Sequence, residues 1–250
     1  MKNRITILIP HYQTPDAIKL CLRSIRRYTS KDHPVWVLDN GSQDESLEYL
    51  KSLSWIRLVE SPHPNDPAVS HFRCINDVLE EIDTARFLIM HSDVFVHHSG
   101  WLEFLQEKLS SGNHAAVGPC HKGISPRSRW MFWRVLRNFS PPEHKPGLPT
   151  LRSICSLYNT KVFRDTGAKF FSTQGEDITH SANEQLMKSG HTLLPLPSTT
   201  LRKFIFHSGS MTRIENKFNS KPTSKHLRDF EKFLNWTSTR EILSDNSLDH

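Results

Sequence analysis

The sequence predicts an α/β fold, a mostly parallel sheet with helices on both faces. Three observations carry this. Short apolar runs alternate through the first half with amphipathic segments of roughly ten to fifteen residues, the pattern of βαβ units. Several of these runs turn polar abruptly at their carboxyl ends, the edge at which open α/β sheets bind ligands. The chain has 250 residues, enough to bury a full core without disulfide or metal staples.

The elements follow in order. Ile5 to Pro10 is a β-rich run. Thr14-Pro15-Asp16 reads as an N-cap, a proline at the first helical position and an acidic first turn, and Ile18, Cys21, Leu22 and Ile25 give the helix one apolar face. Val35 to Leu38 is a second strand, ending in the turn Asp39-Asn40-Gly41-Ser42. Ser42 and Glu45 have capping-box spacing for a helix through Leu47 and Leu50. Ile56 to Val59 is a third strand, and Val69, Phe72, Ile75, Leu79 and Ile82 mark the next helix. Phe87 to Met90 is an uncharged core strand, and polarity returns at His91, Ser92 and Asp93. Ser99-Gly100-Trp101 opens a helix containing Leu102, Leu105 and Leu109, and Ala115 to Gly118 is a strand.

Residues 120–149 change character. Lys122, Arg127, Arg129, Arg134, Arg137 and Lys145 face a single acid, Glu143, with Trp130, Met131, Phe132 and Trp133 among them and prolines at the end. This stretch reads as a solvated excursion, as a binding surface for an anionic acceptor, or as a membrane-surface contact through Trp130 and Trp133. No nucleic-acid-binding module is recognisable, so no nucleic acid is expected. Regular structure resumes with a strand over Arg152 to Tyr158, a short helix over Lys161 to Asp165, and a helix after Glu176-Asp177 closed by Gly190. Strands over His191 to Leu194 and Lys203 to Phe206 follow. Phe230, Phe233, Leu234 and Trp236 suggest a packed helix before a frayed Ser-Asp-Asn-Ser tail.

Composition excludes several classes. No apolar run approaches membrane-spanning length, and no apolar stretch with a cleavage site follows Met1, so no secretory signal is expected. The four cysteines are widely spaced, which fits free thiols in a reducing cytosol better than a zinc ribbon or a disulfide framework. The net charge of +6 favours anionic partners. Ile9-Pro10-His11-Tyr12-Gln13 carries no glycine-rich phosphate loop and no Walker loop occurs, which disfavours an ordinary dinucleotide-binding domain and a P-loop enzyme.

Read together, the strand ends resemble those of the family-two inverting glycosyltransferases of the A-type nucleotide-sugar fold. Five segments carry the likeness, in family order over roughly residues 4–212. They are Ile5-Thr6-Ile7-Leu8-Ile9-Pro10-His11-Tyr12-Gln13, Val37-Leu38-Asp39-Asn40-Gly41-Ser42-Gln43-Asp44, His91-Ser92-Asp93, Gly175-Glu176-Asp177 and Phe206-His207-Ser208-Gly209-Ser210. The resemblance implies a single Rossmann-like domain over residues 1–250. Residues 1–118 would form the nucleotide-sugar half, 119–214 the acceptor and catalytic half, and 215–250 a terminal helix and tail. It implies transfer of a sugar from a nucleotide sugar, UDP- or dTDP-linked by family habit, to a hydroxyl of a glycan or glycolipid. The setting would be cell-surface polysaccharide synthesis, cytoplasmic or at the inner face of the membrane.

The resemblance also assigns roles. Pro10, His11, Tyr12, Asp39, Asn76, His91, Ser92 and Asp93 would line the nucleotide-sugar site, with Asp39 accepting a hydrogen bond from the base. Asp93 and His207 would hold a divalent metal, Mn²⁺ or Mg²⁺, the imidazole tilting the preference toward Mn²⁺. His91 replaces the first acid of the Asp-x-Asp pattern, so altered metal and ribose contacts are expected. Asp177 would be the general base, its pKa raised by partial shielding beside an anionic donor, with Glu176 as the alternative base or an acceptor-binding group. A nucleotidyltransferase, or a non-catalytic nucleotide-sugar or glycan-binding module, is the competing reading.

Overall fold

The structure is a computed structural model that describes residues 4–61, 67–120, 150–171, 177–209, 231 and 235–250. The basic aromatic stretch, Glu176, Phe230, Phe233 and Leu234 lie outside the described residues.

The first half alternates as expected: β1 (Ile5–His11), α1 (Pro15–Tyr28), β2 (Val35–Asp39), α2 (Glu45–Ser52), β3 (Ile56–Glu60), α3 (Pro67–Val78), β4 (Arg86–Met90), β5 (Val94–Val96), α4 (Trp101–Ser110) and β6 (Ala116–Pro119). The second half adds β7 (Cys155–Asn159), α5 (Thr160–Asp165), α6 (Thr179–Lys188), β8 (Leu193–Leu196), α7 (Ser198–Leu201), β9 (Ile205–His207) and α8 (Thr237–Ser244). Among the described residues, seven strands form one sheet in the order β3-β2-β1-β4-β7-β6-β8, and β5 and β9 form a separate two-stranded ribbon. β1 to β4 are parallel. β7 runs against both β4 and β6, and β8 is parallel to β6.

The central strands are buried on both faces, and their alternation divides the core in two. Ile5, Ile7 and Ile9 of β1, Val35 and Val37 of β2, and Leu88 and Met90 of β4 face α1, α2, α4, α8 and the ribbon. Leu8, Leu38, Phe87 and Ile89 face α3, α5 and α6. The second layer centres on aromatic packing, with Phe87 stacked on Tyr158 at 5.2 Å and Phe163 on Phe170 at 4.9 Å between centroids.

Several local expectations need correction. Thr14 precedes α1, but its side chain makes no capping bond to the helix. Asp44, not Ser42, caps α2 by accepting from Ser46 N, whereas Ser42 Oγ accepts from Gln13 N at 2.9 Å. α3 stops at Val78, and a single 3₁₀ turn over Leu79–Glu81 covers the rest of the expected helix. The strand expected from Arg152 starts at Cys155, which leaves Arg152, Ser153 and Ile154 as an irregular approach to the sheet.

The tail is not frayed. Arg23, 1% exposed on α1, donates from Nε to Asp249 Oδ1 at 2.9 Å and from Nη2 to Asn246 Oδ1 at 2.7 Å, and also pairs Nη2 with Asp249 Oδ2. Tyr49 Oη donates to Asp249 Oδ1 at 2.8 Å. A buried guanidinium needs a partner, and here the last turn supplies it. All four cysteines are free thiols. Among the described residues no helix is long and apolar enough to cross a membrane.

Candidate nucleotide and metal site

The parallel register brings the polar strand ends to one edge. His11 pairs with Asp39 across β1 and β2, and Leu8 with Ile89 across β1 and β4, so the turns after these strands meet. Because β7 runs against β4 and pairs Cys155 with Met90, the residues just before β7 reach the same edge.

The Asp39 turn is built so that its two carboxylate oxygens differ. Gly41 adopts φ +88°, a left-handed conformation that glycine takes at little cost. Oδ2 of Asp39 accepts from Gly41 N at 3.1 Å and Ser42 N at 2.9 Å. Oδ1 is buried without a hydrogen-bond partner, and the nearest cation-capable atom is His11 Nε2 at 4.0 Å. A buried acceptor left unpaired costs stability. Gln13 takes φ +45°, rare for a non-glycine residue, and its N–H is the one held by Ser42.

His11, expected to line the base pocket, is fully buried beneath this turn. Its Nε2 lies 2.8 Å from Ser46 Oγ and its Nδ1 3.3 Å from Thr14 Oγ1. Burial outweighs the attraction of Asp39 and Asp44 and lowers its pKa to about 4, so the ring is neutral at physiological pH. β1 extends one residue further than the apolar run, and this draws His11 into the interior as support for Asp39. Pro10 lies in β1 and is buried, whereas Tyr12, just beyond the strand, is half-buried. Ser92 touches Thr14, Oγ to Oγ1, at 3.5 Å and ties the turn after β4 to the start of α1. Asn76 is engaged elsewhere: its Nδ2 donates to Phe170 O at 2.8 Å and its Oδ1 accepts from Phe170 N at 3.0 Å.

The second half of the site is a side-chain cluster. His91, Asp93 and His207 present ligand atoms that all lie within 4.8 Å of one another. His207 Nε2 is 3.2 Å and His91 Nδ1 3.9 Å from the same atom, Asp93 Oδ1. The ribbon delivers His207: β9 pairs antiparallel with β5, His207 opposite Val94, and Ser208 N donates to Asp93 O at 3.2 Å. His91 is fixed from behind by Ser153 Oγ, 2.7 Å from its Nε2. Burial lowers its pKa against the pull of Asp93, which keeps a ring lone pair available. Sequence reasoning placed Asp93 and His207 together but gave His91 to the sugar nucleotide. The signal for a third member of the cluster was a histidine two positions before Asp93, at a place the family pattern reserves for an acid.

Asp177 joins the cluster through Ser153. Its Oδ1 accepts from Ser153 N at 3.0 Å, Thr179 N at 3.2 Å and Thr179 Oγ1 at 2.8 Å, and its Oδ2 lies 3.8 Å from Arg152 Nε. The expectation of a raised pKa is corrected. Burial pushes this carboxyl up, but the Thr179 and Ser153 hydrogen bonds and nearby His91 together hold it below the usual carboxylate range. Ser153 and Thr179 were missed because nothing in their local pattern marks them.

Comparisons with known proteins bear on family and fold. Residues 6–173 match Glycosyl transferase family 2. A teichoic acid poly(glycerol phosphate) polymerase of Staphylococcus epidermidis is 25% identical over 179 residues, 67% of this chain, and the chain spans only 24% of that relative's length. Among solved structures, the mannosyltransferase PcManGT from Pyrobaculum calidifontis in complex with GDP-Man and Mn²⁺ aligns with TM-score 0.56 at 14% identity, over 98% of this chain and 84% of that one. S. aureus TarS 1-349 in complex with UDP-GlcNAc aligns with TM-score 0.53 at 14% identity, over 96% and 70%. Glucosyl-3-phosphoglycerate synthase of M. tuberculosis aligns with TM-score 0.51 at 16% identity, over 84% and 77%. The structural likenesses establish an A-type nucleotide-sugar-transferase fold, and the sequence match covers well over half of the chain, so the chain belongs to glycosyl transferase family 2.

Proposed function

We propose that the protein moves a sugar from a nucleoside diphosphate to a hydroxyl of a glycan or glycolipid acceptor, with inversion at the anomeric carbon. One observation carries this reading: the unpartnered Asp39 carboxylate oxygen and the His91–Asp93–His207 cluster lie at the carboxyl ends of β2 and β4, the two strands that flank β1, where a base and a diphosphate of one ligand would be held.

Asp39 Oδ1 accepts the ring N–H of a uracil or thymine, flanked by Pro10 and Tyr12, while neutral His11 supports the turn from below. The donor set of one hard carboxylate oxygen and two imidazole nitrogens fits a divalent cation such as Mn²⁺. Such a cation would be held by Asp93 and His207 and would supply Lewis-acid neutralisation of the leaving diphosphate. Asp177 is fixed through Oδ1 and ionised, and Oδ2 takes the acceptor proton as the hydroxyl attacks. Glu176 is the alternative base.

The teichoic acid relative supports a cell-surface polymer as the destination of the sugar, with synthesis on the cytoplasmic side of the membrane. The net charge of +6 suits an anionic acceptor. The test is release of nucleoside diphosphate from a panel of UDP-, dTDP- and GDP-sugars, with and without Mn²⁺, and assignment of the product anomer by NMR. Turnover of one donor class with inversion is expected. Retention of configuration, or no release and no thermal stabilisation by any nucleoside diphosphate, would overturn the reading.

A further inference from the structure

The cluster at the end of β4 differs from an oxygen-only cation site in a way that bears on which ion it takes. Two imidazole nitrogens, from His91 and His207, converge on one oxygen of Asp93. Their rings are inclined at 69° with centroids 5.7 Å apart, so they are not stacked. Bonds of about 2.1 Å to one ion require donors roughly 3.0 to 3.4 Å apart in octahedral or tetrahedral geometry. His207 Nε2 and Asp93 Oδ1 are already at 3.2 Å, and His91 Nδ1 at 3.9 Å needs to close by about half an ångström. Ser153 Oγ on the far nitrogen of His91 is the outer contact that orients metal-bound histidines. The bonds that Ser208 N and Oγ donate to Asp93 O hold the ribbon in register behind the site.

We infer that His91, Asp93 and His207 form a two-histidine, one-carboxylate site that selects a nitrogen-tolerant transition-metal ion over Mg²⁺, and that His91 is the residue that sets this preference. Mg²⁺ demands oxygen ligands and gives up water reluctantly. Mn²⁺, Fe²⁺, Co²⁺ and Zn²⁺ accept imidazole, with affinities for such sites rising along the first-row series. With an acid at position 91 the site would offer two carboxylates and one imidazole, and Mg²⁺ would compete. The bland alternative is a His207–Asp93 ion pair with His91 as a bystander. It leaves unexplained why His91, held by Ser153, also turns a nitrogen toward the same carboxylate oxygen.

The inference deepens the proposed sugar transfer and rests on it for its purpose, but its test needs neither sugar nor transfer. Metal-free protein is titrated with Co²⁺ in the absence of nucleotide and followed by the visible d–d absorption. A stoichiometric Co²⁺ spectrum that survives about a hundredfold excess of Mg²⁺ is expected. In His91→Asp, Co²⁺ affinity should fall at least about tenfold and Mg²⁺ should displace the ion. Ser153→Ala keeps the imidazole but removes its anchor, and it should weaken Co²⁺ by roughly 10- to 100-fold. It carries the test if His91→Asp does not melt cooperatively. No Co²⁺ spectrum in the wild type, displacement by equimolar Mg²⁺, or unchanged Co²⁺ affinity in both variants would overturn the inference. Co²⁺ selectivity without sugar transfer would leave it standing and sink the transferase reading, whereas transfer supported equally by Mg²⁺ and Mn²⁺ would do the reverse.

Discussion

Asp39→Asn separates the two duties of one carboxylate. In the wild type Oδ2 receives the Gly41 and Ser42 N–H groups, and buried Oδ1 has no hydrogen-bond partner. An asparagine can keep its amide oxygen on the two backbone donors, which puts an NH₂ where Oδ1 stood. The turn then exchanges two charge-assisted hydrogen bonds for neutral ones, worth about 1 kcal/mol less each at most. For a chain of this size that lowers Tm by roughly 2–8 °C. The ligand suffers differently, because a donor now faces the ring N–H of the base. Leaving that buried pair unsatisfied costs about 1–3 kcal/mol, or roughly a 5- to 150-fold loss of UDP affinity. Calorimetry with UDP alongside a thermal melt reads both effects on one sample. Asp39→Ala should lose as much affinity and more stability, because the turn also loses Oδ2. Unchanged UDP affinity in a folded Asn variant would remove Asp39 from the base site, whatever happened to the melting point.

Asp177→Asn should bind donor almost normally and turn over ~10²- to 10⁴-fold more slowly; near-normal transfer would move the base to Glu176 or elsewhere. Because the Asp177 carboxyl is held below the usual range, the kcat/KM profile of the wild type should show no limb from it between about pH 5 and 8. His11 gives an acid-stability prediction. The unfolded chain takes up a proton near pH 6.5, whereas folded His11 resists protonation until about 4. The unfolded state therefore binds more protons in that window, and stability falls as pH drops through it, by at most about 3 kcal/mol. Chemical denaturation at pH 7 and pH 5 checks the sign, and a His11→Asn variant should flatten the slope. Arg23→Ala leaves Asp249 partly buried without its cation and should cost about 3–5 kcal/mol, seen as a lowered denaturation midpoint. A change within about 0.5 kcal/mol would mean that the tail contributes nothing to the fold.

The parts of this protein that were legible in sequence are those set by local pattern. Contiguous apolar runs and abrupt polarity located β1, β2 and β4, and with them Asp39 and Asp93, because a strand end is written in contiguous residues. The Ser153–His91 contact was not legible, since it depends on β7 running against β4, and nothing near Ser153 states that direction. The Arg23 clamp joins α1 to a tail that composition alone made look loose. His11 was misplaced for a subtler reason. The apolar run ends at Pro10, but pairing with Asp39 carries the strand and its burial one residue further. The lowered Asp177 pKa was equally hidden, because it depends on a threonine two positions later turning its hydroxyl back onto the carboxylate.

The β5–β9 ribbon also fixes when the site comes into being. Ser208 and Asp93 are 115 positions apart, so this pairing has a high loop-closure cost and forms only after the chain between them is in place. The Asp39 turn, by contrast, is complete within the first βαβ unit. The proposed base contact is therefore assembled from nearby residues, and the proposed metal cluster from distant ones. An ion gripping Asp93 and His207 together would then lash the ribbon shut, and metal occupancy would report finished topology as much as readiness for chemistry.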